Sequence, residues 1–361
     1  MLGGIGARAL GSVRWSAIGW GAALAFGLLY PIPFQLQGLS YFQTVGFLVL
    51  LNAMLGVGWN IIGGWAGQFD FGANVFFAVG AYVAALLATH LGLSPWLGLL
   101  VGALVAVGLC AVLTYPITRL RGHYFAIATV AMWMIAVPIG ATWDVINGSQ
   151  GVFVPLQPRP SIVDEVLGLQ FGGRTKELGY YYAALAVFAL VLALARVVQG
   201  SKPGLYLRAI RDDQEAAEGI GIDSRRYKVL ARCLTAAVFA AGGTLYAEWA
   251  LAVFPDQVLD LNWSTLPMIA TVVGGLGRLW GPVLGALILI PLSQVMSTSL
   301  GTGPLAGRGL DVVVYGLLIM LMAALRPHGL LSLLPGGGGA AGPRRAGRMA
   351  QPRQRREHAA G

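Results

Sequence analysis

Long apolar stretches separated by short polar or glycine-rich breaks dominate the chain. Residues 15–33, 42–62, 71–91, 96–117, 125–143, 180–198, 229–251, 266–277, 282–300 and 310–325 are apolar runs, most of them near the about 20 residues that a helix needs to cross a bilayer. The pattern predicts an all-α polytopic membrane protein of about ten transmembrane or re-entrant helices. The run 266–277 is short, so it forms with 282–300 either two spans or a hairpin that enters and leaves the membrane on one side. Both alternatives return the chain to the side it started from.

Between the runs at 180–198 and 229–251 lies a polar stretch with helical periodicity. Ser201 is placed as an N-cap with Pro203 near the first helical position, and Gly219 or Gly221 supplies the stop. Leu207, Ile210, Gln214, Ala217 and Gly221 recur at helical spacing, whereas Arg208, Arg211, Asp212, Glu215 and Glu218 fall mainly on the remaining surface. Arg208 with Asp212 and Arg211 with Glu215 stand four residues apart in the less favourable order, each pair contributing at most about 0.2–0.5 kcal/mol. Helix stability alone does not account for such charge density, so the stretch reads as a docking helix for a soluble partner.

Composition agrees with the membrane reading: 57% of the 361 residues are hydrophobic, 11% are charged and the mean hydropathy is +0.71. Threading the spans from a cytoplasmic N-terminus puts Arg8, Arg14, Arg119, Arg121, the basic residues of 196–232, Arg278, Arg326 and the tail arginines inside. Only Arg159, Arg174, Lys176 and Arg308 are left outside. This positive-inside bias predicts a cytoplasmic N-terminus and C-terminus. The net charge of +9 is largely this bias plus a basic tail, so no nucleic-acid partner is expected. Arg8 and Arg14 before the first run resemble a signal peptide, but the run is long and no small-residue cleavage site follows it, so it reads as an uncleaved helix. The chain divides into a transmembrane domain at residues 1–334, with a cytoplasmic loop at 199–228 and a periplasmic loop at 144–179, and a disordered basic tail at 335–361. The tail is glycine-rich and carries six arginines between Arg344 and Arg356; it is either solvated or in contact with anionic membrane lipid.

The residues do not compose an active site. His90, His123, His328 and His358 are scattered, Cys110 and Cys233 fall within apolar runs as packing thiols, and Gly148-Ser149-Gln150-Gly151 lacks nucleophile-elbow spacing. There is no Gly-Lys dipeptide and hence no phosphate-binding loop of the Walker type. The chain is read as not an enzyme, with no cofactor and no metal, and any ATP hydrolysis belongs to a partner.

Glycines and polar side chains interrupt the second and third runs, at Trp59, Asn60, Gly63, Gly64, Gly67, Gln68, Asp70, Gly72 and Asn74. Irregular backbone at membrane depth is tolerated only where protein buries it or a watery cavity borders it, so the interruption marks either a transport path or a tight turn with small packing residues. Asp70 is a functional candidate as an ionisable group beside a membrane segment, or else an N-cap for a helix opening at Phe71. A second break, Gly274 to Gly285, occupies a comparable place in the C-terminal half, as expected for an internal repeat around a central path. Glu248 is a further candidate for the path, whereas Asp311 reads as a first-turn helix charge.

Four blocks, 60–82, 121–134 with 148–152, 201–231 opening Ser201-Lys202-Pro203-Gly204, and 274–285, resemble the permease subunits of branched-chain amino-acid type ABC importers along nearly the whole chain. Glu215-Ala216-Ala217 followed by Gly221 resembles the loop by which such permeases insert a coupling helix into the ATPase, which marks Arg208, Arg211, Asp212, Glu215, Ala216, Ala217 and Gly221 as coupling residues. The family usually has Gly-Gln-Leu-Ser-Phe-Gly-His in the hairpin. This chain has Asp70 at the Ser place and Ala73 at the His place, with Asn74 next, which makes a different or broader solute credible, such as urea or a short amide. The resemblance implies a multi-pass protein of the bacterial inner membrane, a homologous permease partner, two ABC ATPase subunits and a periplasmic substrate-binding protein. An ion-driven transporter or passive channel is the competing class; it needs no docking helix and would use Asp70 as an ion or proton site.

Overall fold

The computed structural model describes residues 27–31, 33, 40–120, 122–154, 176–301, 316–317, 320 and 330. The expected spans at 15–33 and 310–325 lie wholly or largely outside the described residues, as does the tail at 335–361. The protein is an all-helical membrane protein. Among the described residues six helices are long and apolar enough to cross a membrane, and they coincide with the six expected runs from 42–62 to 229–251.

Helix α1 is Ser40–Trp59 and continues as a π-helical turn, Asn60–Trp65. Helix α2, Ala73–Leu91, ends at Gly92, whose φ of 59° lets its N–H cap the Leu87 carbonyl. Helix α3 is Pro95–Ile117, with proline at its first position, and α4 is His123–Thr142. Helix α5, Lys176–Gly200, leads into the polar loop, which is followed by α8, Ser224–Ala250.

That loop forms two helices rather than the one expected, α6 at Lys202–Asp212 and α7 at Gln214–Gly219. Asp213 is the cause. Its extended backbone, φ −157°, stops α6, and its Oδ1 accepts from the N–H groups of Glu215 at 2.9 Å and Ala216 at 3.1 Å, which caps α7. Ser201 occupies the expected N-cap position of α6, although its hydroxyl donates to the Val198 carbonyl.

Helices α2, α3 and α8 form the tight centre of the bundle. A Cβ on Gly243 would enter the Phe77 carbonyl and one on Gly80 would enter the Ala240 backbone, while Gly102 lies against Gly80. Thr244 Oγ1 donates to the Gly80 carbonyl at 3.2 Å. Small residues are the means by which helices approach when lipid supplies no hydrophobic contrast. Helices α2 and α8 run in the same direction, since Phe76 lies by Arg232 and Gly80 by Ala240.

At the outgoing end of α8, strand β2, Ala252–Val253, pairs antiparallel with β1, Val152–Phe153, in the register Val152 to Val253. The chain then turns back along the bundle through α9, Pro255–Val258. Pro255 and Leu259 lie against Gly140, and the Leu259 carbonyl accepts from Trp133 Nε1 near the middle of α4. From there α10, Asn262–Gly275, runs for 14 residues and α11, Gly281–Gly301, for 21. At 1.5 Å per residue α10 covers about 21 Å, short of a bilayer core. Among the described residues α10 and α11 follow one another as a shorter and a longer helix, entered by a segment that turns back along the bundle.

The glycine contacts give a direct check. Gly80→Ala should lower the thermal midpoint of the detergent-solubilised protein, with an overpacking cost of about 1–3 kcal/mol. Gly108→Ala, where nothing lies within 4 Å of the added methyl, should leave the midpoint unchanged or slightly raised.

Candidate functional site

The interruption after α1 is where buried polar groups collect. The α1 ladder widens into the π-helical turn, a form that recurs at functional positions. Gly63 and Gly64 make room for the Trp59 ring and the Asn60 amide, which their side chains would otherwise strike. The chain then leaves helical geometry and enters α2 at Ala73, so Gly72, not a residue before Phe71, holds the N-cap position.

Asp70 lies in this lead-in and is 0% exposed. Its Oδ2 accepts from Arg232 Nε at 2.8 Å, and its Oδ1 accepts from Arg232 Nη2 at 3.3 Å and from the Gly72 N–H at 2.9 Å. Arg232 is also 0% exposed. Its Nη1 donates to Thr114 Oγ1 at 3.2 Å, and its guanidinium stands 5.6 Å from the Phe76 centroid and 5.4 Å from that of Phe125. Two-point pairing and the remaining donor contacts compensate the desolvation of both charges. The backbone around Asp70 is held as firmly. Trp59 Nε1 donates to the Asp70 carbonyl at 2.8 Å, and the Phe71 N–H donates to Thr129 Oγ1 at 3.1 Å. The positive-inside pattern counts Arg232 with the cytoplasmic basic residues, whereas its side chain is sealed inside the bundle. The available signal was that a buried carboxylate at membrane depth requires a cation, and Arg232 begins an otherwise apolar helical stretch.

Asn74 joins a second group. Its N–H donates to Ser264 Oγ at 2.8 Å, and its Nδ2 donates to the carbonyls of Leu259 at 2.9 Å and Asp260 at 3.2 Å. Its Oδ1 is buried without a hydrogen-bond partner among the described residues. Phe77 on the next turn stacks on Trp263, with centroids 4.4 Å apart. The start of α2 is thereby fixed to the start of α10. On the outer side of this junction Asp256, Gln257, Asp260 and Asn262 are exposed.

Asn60 belongs to a third group, where the two glycine breaks meet. Its Oδ1 accepts from the Gly277 N–H at 2.9 Å and its Nδ2 donates to the Arg278 carbonyl at 3.0 Å, while Trp65 Nε1 donates to the Gly277 carbonyl at 3.1 Å. Gly67 and Gly277 have φ of 69° and 78°, a region open to glycine at little cost. Gln68 is buried beside them.

Glu248 stands apart from all three groups. It lines a small crevice with Trp96, Tyr180 and Thr244 near the outgoing end of α8. The eight residues expected along a path thus divide: Trp59 and Gly72 bond to Asp70, which pairs with Arg232; Asn60, Gly67 and Gln68 lie at the meeting of the breaks; Asn74 faces α10; and Glu248 is separate.

In the polar loop Leu207, Ile210 and Ala217 are buried against the protein. Helix α7 is held to α8 by Lys228 Nζ donating to Gln214 Oε1 at 2.7 Å and Ser224 Oγ donating to Glu218 Oε1 at 2.7 Å. Arg208, Asp212, Glu215, Ala216 and Gly221 are exposed, together with Leu205 at 60% and Ile220 at 78%. The guanidiniums turn to backbone: Arg208 donates to the Gly204 and Gln199 carbonyls, and Arg211 to the Gly64 carbonyl.

A multi-pass helical bundle whose interrupted helices meet through buried polar groups has the architecture of a membrane transport protein. The chain belongs to the family described as "Branched-chain amino acid transport system / permease component", whose model matches residues 41–323. It is 26% identical to the high-affinity branched-chain amino acid transport system permease protein LivM of Escherichia coli K12, over 80% of this chain and 69% of that protein. Identity to the probable LivM permease of Methanocaldococcus jannaschii is 22%, over 73% of this chain and 72% of that protein. The LivH permease of E. coli K12 is 23% identical, over 77% of this chain and 90% of that protein. No solved structure gives a significant match. The chain is accordingly an ABC importer permease, a transport component rather than an enzyme, in the inner membrane.

The buried pair yields a second check. Asp70→Leu or Arg232→Met alone should destabilise the detergent-solubilised protein by about 3–5 kcal/mol, because each strands a buried charge. The double variant, with neither charge, should recover most of that loss, and thermal midpoints of the four proteins read the cycle.

Proposed function

We propose that this chain imports a branched-chain amino acid or a related small polar solute as one of two homologous permeases, driven by two ABC ATPases and supplied by a periplasmic binding protein. The reading includes about ten membrane helices, cytoplasmic termini, a transmembrane domain at 1–334 and a basic tail at 335–361. The observation that carries it is the loop α6–α7, which buries one face on its own bundle and leaves Glu215, Ala216, Gly221, Leu205 and Ile220 exposed as a docking surface. Solute recognition is assigned mainly to the binding protein, and the permease provides a weakly selective path.

Within the path, Asn74 takes the place nearest the solute. It combines a buried acceptor lacking a partner among the described residues with a position at the junction of α2 and α10, beside the exposed residue Asp260. Exposed carboxylates such as Asp256 and Asp260 belong against water or a protein partner, not lipid. Trp59, Asn60, Gly67, Gln68, Asp70 and Gly72 then act as the frame of this path, and Glu248 as a group near its outer mouth. The sealed pairing of Asp70 with Arg232 favours the importer over an ion-driven transporter, since a carboxylate already neutralised by guanidinium is a poor ion site. The replacement of the family's Ser and His by Asp70 and Ala73 keeps urea and short amides as alternative solutes.

Reconstituted complexes supplied with labelled leucine, urea or a short amide test the assignment. Glu215→Lys with Gly221→Leu should abolish ATPase association and uptake while membrane insertion persists, and normal uptake would refute the docking role. Asn74→Ala should cut uptake of the true solute about tenfold, the scale of one lost buried polar contact, with ATPase association retained.

A further inference from the structure

We infer that Arg211 is the positioning residue through which movement of the α6–α7 loop reaches both glycine breaks at once; this rests on the reading of that loop as the ATPase-docking element. Arg211 lies in the last turn of α6 and is exposed as a residue, yet its guanidinium is turned into the bundle. Nη1 donates to the Gly64 carbonyl at 2.6 Å, at the end of the π-helical turn. The stem packs on the first break, where a Cβ added to Gly67 would lie 2.9 Å from Arg211 Cγ. The guanidinium fits as closely on the second break, where a Cβ on Gly277 would lie 2.7 Å from Nη1. Both glycines have positive φ, so the backbone favours glycine and the absent side chains form the slot that Arg211 fills.

The two breaks are already one unit, joined by the bonds of Asn60 and Trp65 to Gly277 and Arg278. The first break continues through residues 66–72 to Asp70 and Asn74. A displacement of α6 therefore pulls on the Gly64 carbonyl and the 277 turn together, and through them on the lead-in to α2. Holding α6 in place does not require this contact, because Leu207 and Ile210 already bury its apolar face. Arg226, at the start of α8 and outside the residues marked for coupling, pairs locally with Asp223 at 2.8 Å and serves as the internal control.

The test uses the complete importer in proteoliposomes, with ATP hydrolysis and solute uptake measured on the same preparation. Arg211→Met keeps a stem against Gly67 but removes the donor, and Arg211→Lys keeps a charged donor. Arg211→Met should retain the ATPase subunits on purification and continue to hydrolyse ATP, while uptake per ATP falls about tenfold, the scale on which one charge-assisted hydrogen bond acts. Arg211→Lys should restore more than half of that ratio, and Arg226→Met should leave it within about twofold, as expected for a surface change. An unchanged ratio in Arg211→Met overturns the inference. Loss of the ATPase from Arg211→Met, with Arg226→Met intact, also overturns it and makes Arg211 a docking residue. Failure of the unaltered chain to retain an ATPase would refute the docking reading itself. Should Arg211→Met not assemble, Arg211→Gln, polar but too short to reach Gly64, is measured in the same way and the same outcomes decide.

Discussion

A carboxylate sealed inside a helical bundle is costly unless a cation stands beside it, and the pairing of Asp70 with Arg232 meets that requirement in a way that organises the surrounding helices. Arg232 comes from α8, its further partner Thr114 from α3, and the rings beside it from α2 and α4. Asp70 itself is delivered by the chain between α1 and α2, whose backbone is held by Trp59 and Thr129. Desolvation makes each charge costly alone, so these elements can occupy only arrangements that keep the pair together. The pair thereby sets where α2 begins, and with it the position of Asn74 against α10.

The glycines have a complementary effect. At Gly80, Gly102 and Gly243 they let α2, α3 and α8 approach to backbone contact at the centre of the bundle. At Gly67 and Gly277 they permit positive φ and leave a slot for a side chain from another segment. One residue type thus serves both the fixed core and the interrupted segments. The difference lies in whether the space vacated by the missing Cβ is taken by another helix backbone or by a polar side chain.

The loop between α5 and α8 combines stability with an available surface. Leu207, Ile210 and Ala217 anchor it, and the bonds of Lys228 and Ser224 to α7 fix the second helix. Its outward face carries the acidic and small residues by which the chain resembles ABC importer permeases. Asp213 divides the element so that α7 can turn onto α8 while Arg211 remains directed at the bundle. A single continuous helix would not satisfy both requirements.

The apolar runs by themselves determined the all-helical membrane character, and six of them coincide with helices long enough to span, because a bilayer demands a minimum length of apolar helix whatever the neighbours are. The polar loop and the two glycine breaks were also legible, since glycine clusters and ionisable groups stand out against an apolar background. Which groups meet was not legible. Arg232 pairs with Asp70 across 162 residues and Asn60 with Arg278 across 218, and periodicity along a helix carries no information about partners so distant. The break at Asp213 escaped the same reading, because an aspartate is an acceptable surface residue of a helix until its own side chain caps the next one. Tertiary structure alone decided that Asp70 is sealed, that Asn74 faces α10 and that Arg211 points inward, since each depends on how closely glycine-lined helices pack and on the cost of leaving a buried polar group without a partner.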